Sequence, residues 1–100
     1  MALKINQQNQ ALNVQGHLTG ENAMVLKKHF EVFSKDPNGI ILNLDYVSTI
    51  EESGAYTLEQ IYLDFMRNNK IIQIIGRENK GIAQTMKATK TSYILSDDHL

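Results

Sequence analysis

The sequence predicts one small α/β domain, in which a mixed sheet of about four to five strands packs against about three helices. Three observations support this prediction. The chain opens with segments that alternate apolar and polar residues, which is typical of a β-hairpin. Two short apolar runs, at residues 40–44 and 71–75, have the length of buried strands. Between and after them, apolar residues recur every three or four positions, as they do in amphipathic helices.

Composition indicates a single soluble globular domain. The chain has 100 residues, of which 42% are hydrophobic and 21% charged, and these are ordinary values for a globular protein. A chain of this length buries one core of normal size but not a second one. We therefore expect one domain over residues 1–100, with a polar tail at about residues 96–100. The sequence has no signal-peptide core and no apolar run long enough to cross a bilayer.

Charge and cysteine content exclude several classes of function. The formal net charge is -1, so bulk electrostatics gives no reason to expect a nucleic acid or an anionic membrane as partner. The absence of cysteine excludes disulfides, thiolate metal sites and cysteine nucleophiles, and it agrees with a reducing cytoplasm. We expect a cytoplasmic protein that binds no nucleic acid and does not insert directly into a membrane.

The first third of the chain predicts a hairpin followed by a helix. Alternation around Leu3 and Ile5 resumes after a polar bend near Asn9-Gln10, and together these segments make two strands. Thr19 is a candidate helix cap with an acidic residue in the first turn. The apolar stripe of this helix consists of Ala23, Leu26, Phe30 and Phe33. Residues 36–39, which contain a proline and an Asn-Gly pair, end the helix.

The remainder predicts strands that alternate with helices. A strand at residues 40–44 precedes a helix at about residues 52–69, and a strand at 71–75 precedes a short helix at about 78–87. The core face of the longer helix consists of Ala55, Leu58, Ile61, Tyr62 and Phe65. Ile82 and Met86 point inward from the shorter helix, and residues 91–95 could form a last strand. This order implies right-handed parallel crossovers after the hairpin.

The sequence offers little for catalysis or cofactor binding. His17, His29 and His99 fall in separate segments without cysteine partners, so nothing local arranges ligands around a metal. The glycines do not form a phosphate loop, and Glu52-Ser53-Gly54 lacks the leading glycine of a nucleophile elbow. Adjacent glutamates cannot flank a glycosidic bond as acid and base. We therefore expect no enzyme activity, no cofactor and no metal.

A strand-to-helix joint at residues 48–55 is the most informative segment. The start of a helix presents free N–H groups and a positive dipole end, and here the chain places Glu51 and Glu52. One interpretation is purely structural, because an acid at a helix start stabilises the helix by about 0.3–1 kcal/mol. The other is that the acids belong to a functional surface.

One face of the following helix favours the functional interpretation. At 100° per residue, five residues share the side opposite the core stripe: Glu52, Tyr56, Gln60, Leu63 and Arg67. Tyr56 and Leu63 are therefore predicted to face solvent, and tyrosine and arginine are residue types that anchor interfaces. The alternative is that these are scattered surface residues, or that a tighter fold buries Leu63.

Several segments of the chain match one family. They include the β-hairpin with Gly16-His17-Leu18-Thr19 and the segments at residues 41–47 and 71–76. The family pattern Asp-Ser-Ser/Thr-Gly falls without gaps on Glu51-Glu52-Ser53-Gly54. Over nearly its whole length the chain resembles the STAS domains of bacterial anti-sigma factor antagonists.

The resemblance implies a regulatory module that works by partner switching. In this family the unphosphorylated domain binds an anti-sigma factor, which is also a serine kinase, and thereby frees the sigma factor for transcription. The kinase phosphorylates the first serine of the joint, and the added charge breaks the complex until a phosphatase removes it. The resemblance thus implies a protein partner and a STAS-like fold.

The chain departs from the family at the switch itself. Glu52 occupies the phosphoserine position, and Glu51 replaces the preceding aspartate. A serine kinase cannot modify a glutamate, so we hypothesise that the usual phospho-switch is missing at position 52. The domain would then be locked in one state or serve another partner. Ser53 is a less favoured candidate phosphosite.

The predicted partner surface and its rivals follow from these observations. The surface comprises Glu51, Glu52, Ser53, Gly54, Tyr56, Gln60, Leu63 and Arg67. An alternative is an accessory STAS subunit of a membrane transporter, including the lipid-transport ABC systems. An enzyme or small-molecule sensor would require a pocket at the joint.

Overall fold

The computed structural model describes residues 3–8, 11–33 and 39–97, without the side chains of residues 31–33. These residues form five strands, three α-helices and one turn of 3₁₀ helix. In chain order they are β1 (Lys4–Gln8), β2 (Ala11–Leu18), α1 (Gly20–Phe33), β3 (Ile40–Asn43), β4 (Val47–Ile50), α2 (Glu52–Arg67), β5 (Ile72–Ile75), α3 (Lys80–Ala88) and the 3₁₀ turn Ser92–Ile94. The mixed α/β class and the initial hairpin are confirmed.

The sheet has the order β1-β2-β3-β5, and β4 pairs with β2 as well. β1 runs antiparallel to β2, whereas β3 runs parallel to both β2 and β5. β3 lies beside the first half of β2, and β4 lies beside its last residues, where Leu18 pairs with Ile50. The predicted parallel crossovers are therefore present.

Strand β4 was not predicted, because only one strand, at residues 40–44, was expected before α2. Ser48 and Thr49 are exposed, while Val47 is buried and Ile50 is half-buried. Two consecutive polar residues hid a strand of only four residues, and its pairing with β2 depends on a partner about thirty positions away. The joint at residues 48–55 thus consists of the end of a parallel strand, the single residue Glu51 and the first turn of a helix.

The core lies between the sheet and the helices. The predicted core residues of α1 (Ala23, Leu26, Phe30), α2 (Ala55, Leu58, Ile61, Phe65) and α3 (Ile82, Met86) are all buried. Tyr62 is partly buried at the edge of this core. Phe30 and Phe65 meet edge to face, with ring centroids 5.6 Å apart, and join α1 to α2. The predicted side-chain position of Phe33, the bend at Asn9-Gln10 and residues 36–38 lie outside the described residues.

The prediction of a last strand at residues 91–95 is wrong. Residues 92–94 form a 3₁₀ turn, after which Leu95 makes a single parallel bridge to Ile74. Thr91 is fully buried, and its hydroxyl bonds that of Thr89 at 2.8 Å, so the chain is held in a tight turn behind α3. The start of the predicted tail is also anchored, because Ser96 N–H donates to the Ile74 carbonyl at 2.7 Å. Residues 98–100 lie outside the described residues.

Candidate functional site

The joint is formed by the end of β4 and the first turn of α2. Glu51 is the N-cap residue, with φ −91° and ψ 159°, and its side chain makes no capping hydrogen bond. Its N–H donates to the Leu18 carbonyl at 3.0 Å, and its carbonyl accepts the first helical bond from Ala55 at 3.1 Å. The Glu51 and Glu52 side chains are exposed. Both carboxylates are thus exposed to solvent at the positive end of the helix dipole.

Ser53 connects the starts of two helices. Its hydroxyl accepts a hydrogen bond from the Gly20 N–H at 3.1 Å and donates one to a Glu51 carboxylate oxygen at 3.5 Å. The Gly20 N–H is one of the first-turn amides that have no partner within α1. In the same first turn, the Thr19 hydroxyl accepts from the Asn22 N–H at 3.0 Å, which confirms the predicted cap. The two helix starts therefore form one continuous surface.

Gly54 supports the site from below. It is buried, and a Cβ atom at this position would lie 2.3 Å from the Leu18 carbonyl oxygen. Because glycine has no side chain, α2 can approach the end of β2 closely enough for Ser53 to reach Gly20. Gly54 was predicted as part of the partner surface, and here it lies beneath that surface.

The outer face of α2 continues from the joint. Tyr56 is 48% exposed, as the helical spacing predicts, and Gln60 and Arg67 are also exposed. Leu63 is only half-buried, so part of its side chain reaches solvent. Arg67 pairs with Asp64 at 3.4 Å, three residues earlier on the same helix. Glu52, Tyr56, Gln60, Leu63 and Arg67 therefore lie along one side of α2, and we call this set the α2 outer face.

Two nearby features were missed by sequence reasoning. Met24, on α1, is 47% exposed and falls between Gly20 and Lys27, which both contact α2. Its position off the apolar stripe of α1 was the available signal. On the other side of α2, the Tyr93 hydroxyl donates to Glu59 at 2.6 Å, and this hydrogen bond raises the pKa of the Tyr93 phenol. No local pattern links residues so far apart in sequence.

The described residues offer little that a metal or small ligand would need. Within residues 3–8, 11–30 and 39–97, no group of three or more histidine, aspartate or glutamate side chains is gathered together. A groove of about 200 Å³ between α1 and α2 is lined by Lys27, Phe30, Ile61 and Phe65, among others. These residues belong to the C-terminal parts of both helices, away from the joint. No helix in the described part of the chain is long and apolar enough to cross a membrane.

Comparison with known families gives one match. The model of the STAS domain matches residues 1–94. No curated protein matches the sequence significantly.

Several solved structures share the fold. A putative anti-sigma factor antagonist from Thermotoga maritima is 17% identical with a TM-score of 0.68, over 94% of this chain and 83% of that one. The anti-sigma factor antagonist SpoIIAA in its unphosphorylated form is 12% identical with a TM-score of 0.65, over 99% and 90% of the two chains. The STAS domain of a SulP transporter from Vibrio cholerae is 16% identical with a TM-score of 0.57, over 92% and 73%.

One further similarity is to a much longer protein. The chain aligns with 20% of the structure named Mglu, at 14% identity and a TM-score of 0.60. At these levels of identity, the structural neighbours establish the fold.

Proposed function

The chain belongs to the STAS domain family, and on that premise we propose that it is a protein-binding regulatory module of the anti-sigma factor antagonist type. It would act in the cytoplasm by partner switching, without enzymatic activity of its own. Similarity to two anti-sigma factor antagonists supports this assignment. The surface that binds the partner would comprise the joint and the α2 outer face.

The observation that carries the proposal is the position of Glu52. Its carboxylate is exposed at the first residue of α2, one turn before the exposed ring of Tyr56. By the family resemblance, this is the place of the regulatory phosphoserine. A carboxylate carries part of the charge of a phosphoserine, but no kinase can add it and no phosphatase can remove it. The module would therefore lack a reversible switch at this position.

Ser53 is a weaker candidate for the switch. Its hydroxyl already accepts from the Gly20 N–H and donates to Glu51. A phosphate there would stand beside the carboxylates of Glu51 and Glu52, and like-charge repulsion would oppose it. A kinase would also have to displace the contact between the two helix starts.

A comparison of captured partners tests the proposal. Wild type and Glu52→Ser are immobilised, exposed to lysate of the source cell, and the bound proteins are identified by mass spectrometry. We expect Glu52→Ser to gain a kinase-like anti-sigma protein that wild type does not hold, because the carboxylate that imitates the phosphorylated state has been removed. Glu78→Ser, at an exposed position before α3, serves as the matched control and should behave like wild type.

Other outcomes of this experiment contradict the proposal in defined ways. Stoichiometric phosphate on Ser53 after incubation with the captured kinase would show that a switch exists, one residue away. If neither wild type nor Glu52→Ser captured a kinase-like protein, the antagonist assignment would be removed.

The second candidate is an accessory STAS subunit of a membrane transporter, including the lipid-transport ABC type. Structural similarity to a SulP transporter STAS domain favours it. In that case wild type and Glu52→Ser would bring down the same transporter component, since position 52 would have no switching role. The identity of the bound protein thus separates the two candidates.

A further inference from the structure

The α2 outer face has a symmetry that a single partner-binding surface does not need. Glu52 and Arg67 lie equally far from the centre of the helix, and so do Tyr56 and Leu63. Gln60 lies next to that centre. On this face, Glu52 and Tyr56 in the first half of the helix thus have a basic and an aliphatic counterpart, Arg67 and Leu63, in the second half.

This arrangement is self-complementary under a two-fold rotation. If a second copy lies antiparallel across the middle of α2, Glu52 of each copy faces Arg67 of the other, and Tyr56 faces Leu63. The rise of an α-helix separates the two charge pairs by about 22 Å, so they close both ends of the contact. A contact in which the same patch serves both molecules is what a two-fold dimer requires.

The burial pattern leaves four of the five residues of this face exposed, and Leu63 is half-buried. Tyr56 is 48% exposed, Glu52 and Gln60 are exposed, and the Arg67 side chain is 67% exposed. Arg67 contacts Asp64 at 3.4 Å, but such a surface pair contributes little to stability and can be redirected. Met24 of α1 is also 47% exposed. It falls between Gly20 and Lys27, which both contact α2.

We propose that the α2 outer face binds a second copy of this chain in an antiparallel, two-fold contact. One helix face buries much less than the roughly 800 Å² per partner of a standard interface, so the dimer is weak and depends on its charge pairs. The dimer would cover Glu52 and Tyr56, so a dimeric molecule could not bind its protein partner through these residues. The inference rests on the geometry of α2, so it stands whether the partner is a kinase or a transporter.

Sedimentation equilibrium of the purified chain tests the contact. At about 20 mM salt, we expect the fraction of dimer to increase as the protein concentration rises toward about 1 mM. At about 0.5 M salt the dimer should be lost, because the charge pairs are screened. A chain that stays monomeric at about 1 mM in low salt overturns the proposal.

Charge reversal tests the orientation. Glu52→Arg and Arg67→Glu each place like charges opposite one another at both ends of the dimer, so each should raise the Kd at least about tenfold. An equimolar mixture of the two variants should recover an affinity near that of wild type, because each reversed charge then meets its opposite. The control Lys80→Glu, at an exposed position on α3, should dimerise like wild type.

Two results of the mixing experiment would overturn the inference. Undiminished dimerisation of the single variants would show that another surface is used. Failure of the mixture to recover would exclude the antiparallel register. If Glu52→Arg melts early, because it places a cation at a helix start, Glu52→Gln replaces it, and its mixture with Arg67→Glu should still bind more tightly than either variant alone.

Discussion

At the scale of single residues, the contacts at the joint link residues at very different separations along the sequence. The Thr19 hydroxyl caps α1 through a residue only three positions away, so its capping role could be predicted from the sequence. The bond from Gly20 to Ser53 spans 33 positions, and no local pattern indicates it. The sequence therefore predicted which residues gather at the joint but not that Ser53 closes α1 against α2.

Gly54→Ala should lower the free energy of unfolding by about 1–3 kcal/mol, since the added methyl group would press on the Leu18 carbonyl. Urea denaturation measures the change. Gly81→Ala is the matched control: the nearest atom to its added Cβ is 3.7 Å away, and alanine favours the helix, so stability should be unchanged or rise by up to about 1 kcal/mol. Equal stability of Gly54→Ala and wild type would mean that α2 and β2 are not in such close contact.

At the scale of elements, α2 is a helix with two distinct sides. Its inner side buries Ala55, Leu58, Ile61 and Phe65, and its outer side carries the exposed ring of Tyr56. The spacing of apolar residues predicted both sides, because burial on a helix follows a period that can be counted along the chain. Leu63 was the exception, since its half-burial depends on neighbours that the periodicity does not include.

A substitution on the inner side of α2 should affect stability, whereas one on the outer side should affect partner binding. Leu58→Ala should reduce the free energy of unfolding by about 2–5 kcal/mol, because it leaves a cavity in the core. Tyr56→Ala should change it by no more than about 0.5 kcal/mol. Added to Glu52→Ser, which is expected to hold the kinase-like protein, Tyr56→Ala should weaken the capture of that protein. Thermal melting and the pull-down assay measure these effects. A strongly destabilised Tyr56→Ala would show that the tyrosine belongs to the core.

The two short elements that were predicted wrongly share a physical cause. β4 has four residues, and the last segment is a single 3₁₀ turn. Each is defined by long-range contacts, β4 through pairing with β2 and the turn through the buried Thr89 and Thr91 hydroxyls. Segments this short contain too few residues to establish a period.

At the scale of the whole molecule, the site exists because two halves of the chain meet. β2 leads into α1 and β4 leads into α2, and β2 and β4 lie side by side in parallel. Both helix starts are therefore at the same edge of the sheet, as the carboxyl ends of parallel strands usually are. The order of elements predicted the parallel crossovers but not this convergence, because the strand responsible for it was missed.

Asn79 has a consequence for how the molecule opens. Its amide nitrogen lies within 2.9–3.2 Å of the carbonyls of Leu44, Asp45 and Val47, while its carbonyl oxygen caps α3 by accepting from the Ile82 N–H at 3.4 Å. One side chain thus joins the bend between β3 and β4 to the first turn of α3. These segments should open together, as a single cooperative unit in the native state.

Amide hydrogen exchange followed by NMR would detect this unit as a common exchange rate for β4 and the first turn of α3. In Asn79→Asp, the oxygen that caps α3 remains but the donors to the bend are lost. The amides of β4 should then exchange faster while those of α3 stay protected. If the amides of β4 and of the first turn of α3 already exchanged at different rates in wild type, and Asn79→Asp left both rates unchanged, the two segments would fluctuate independently.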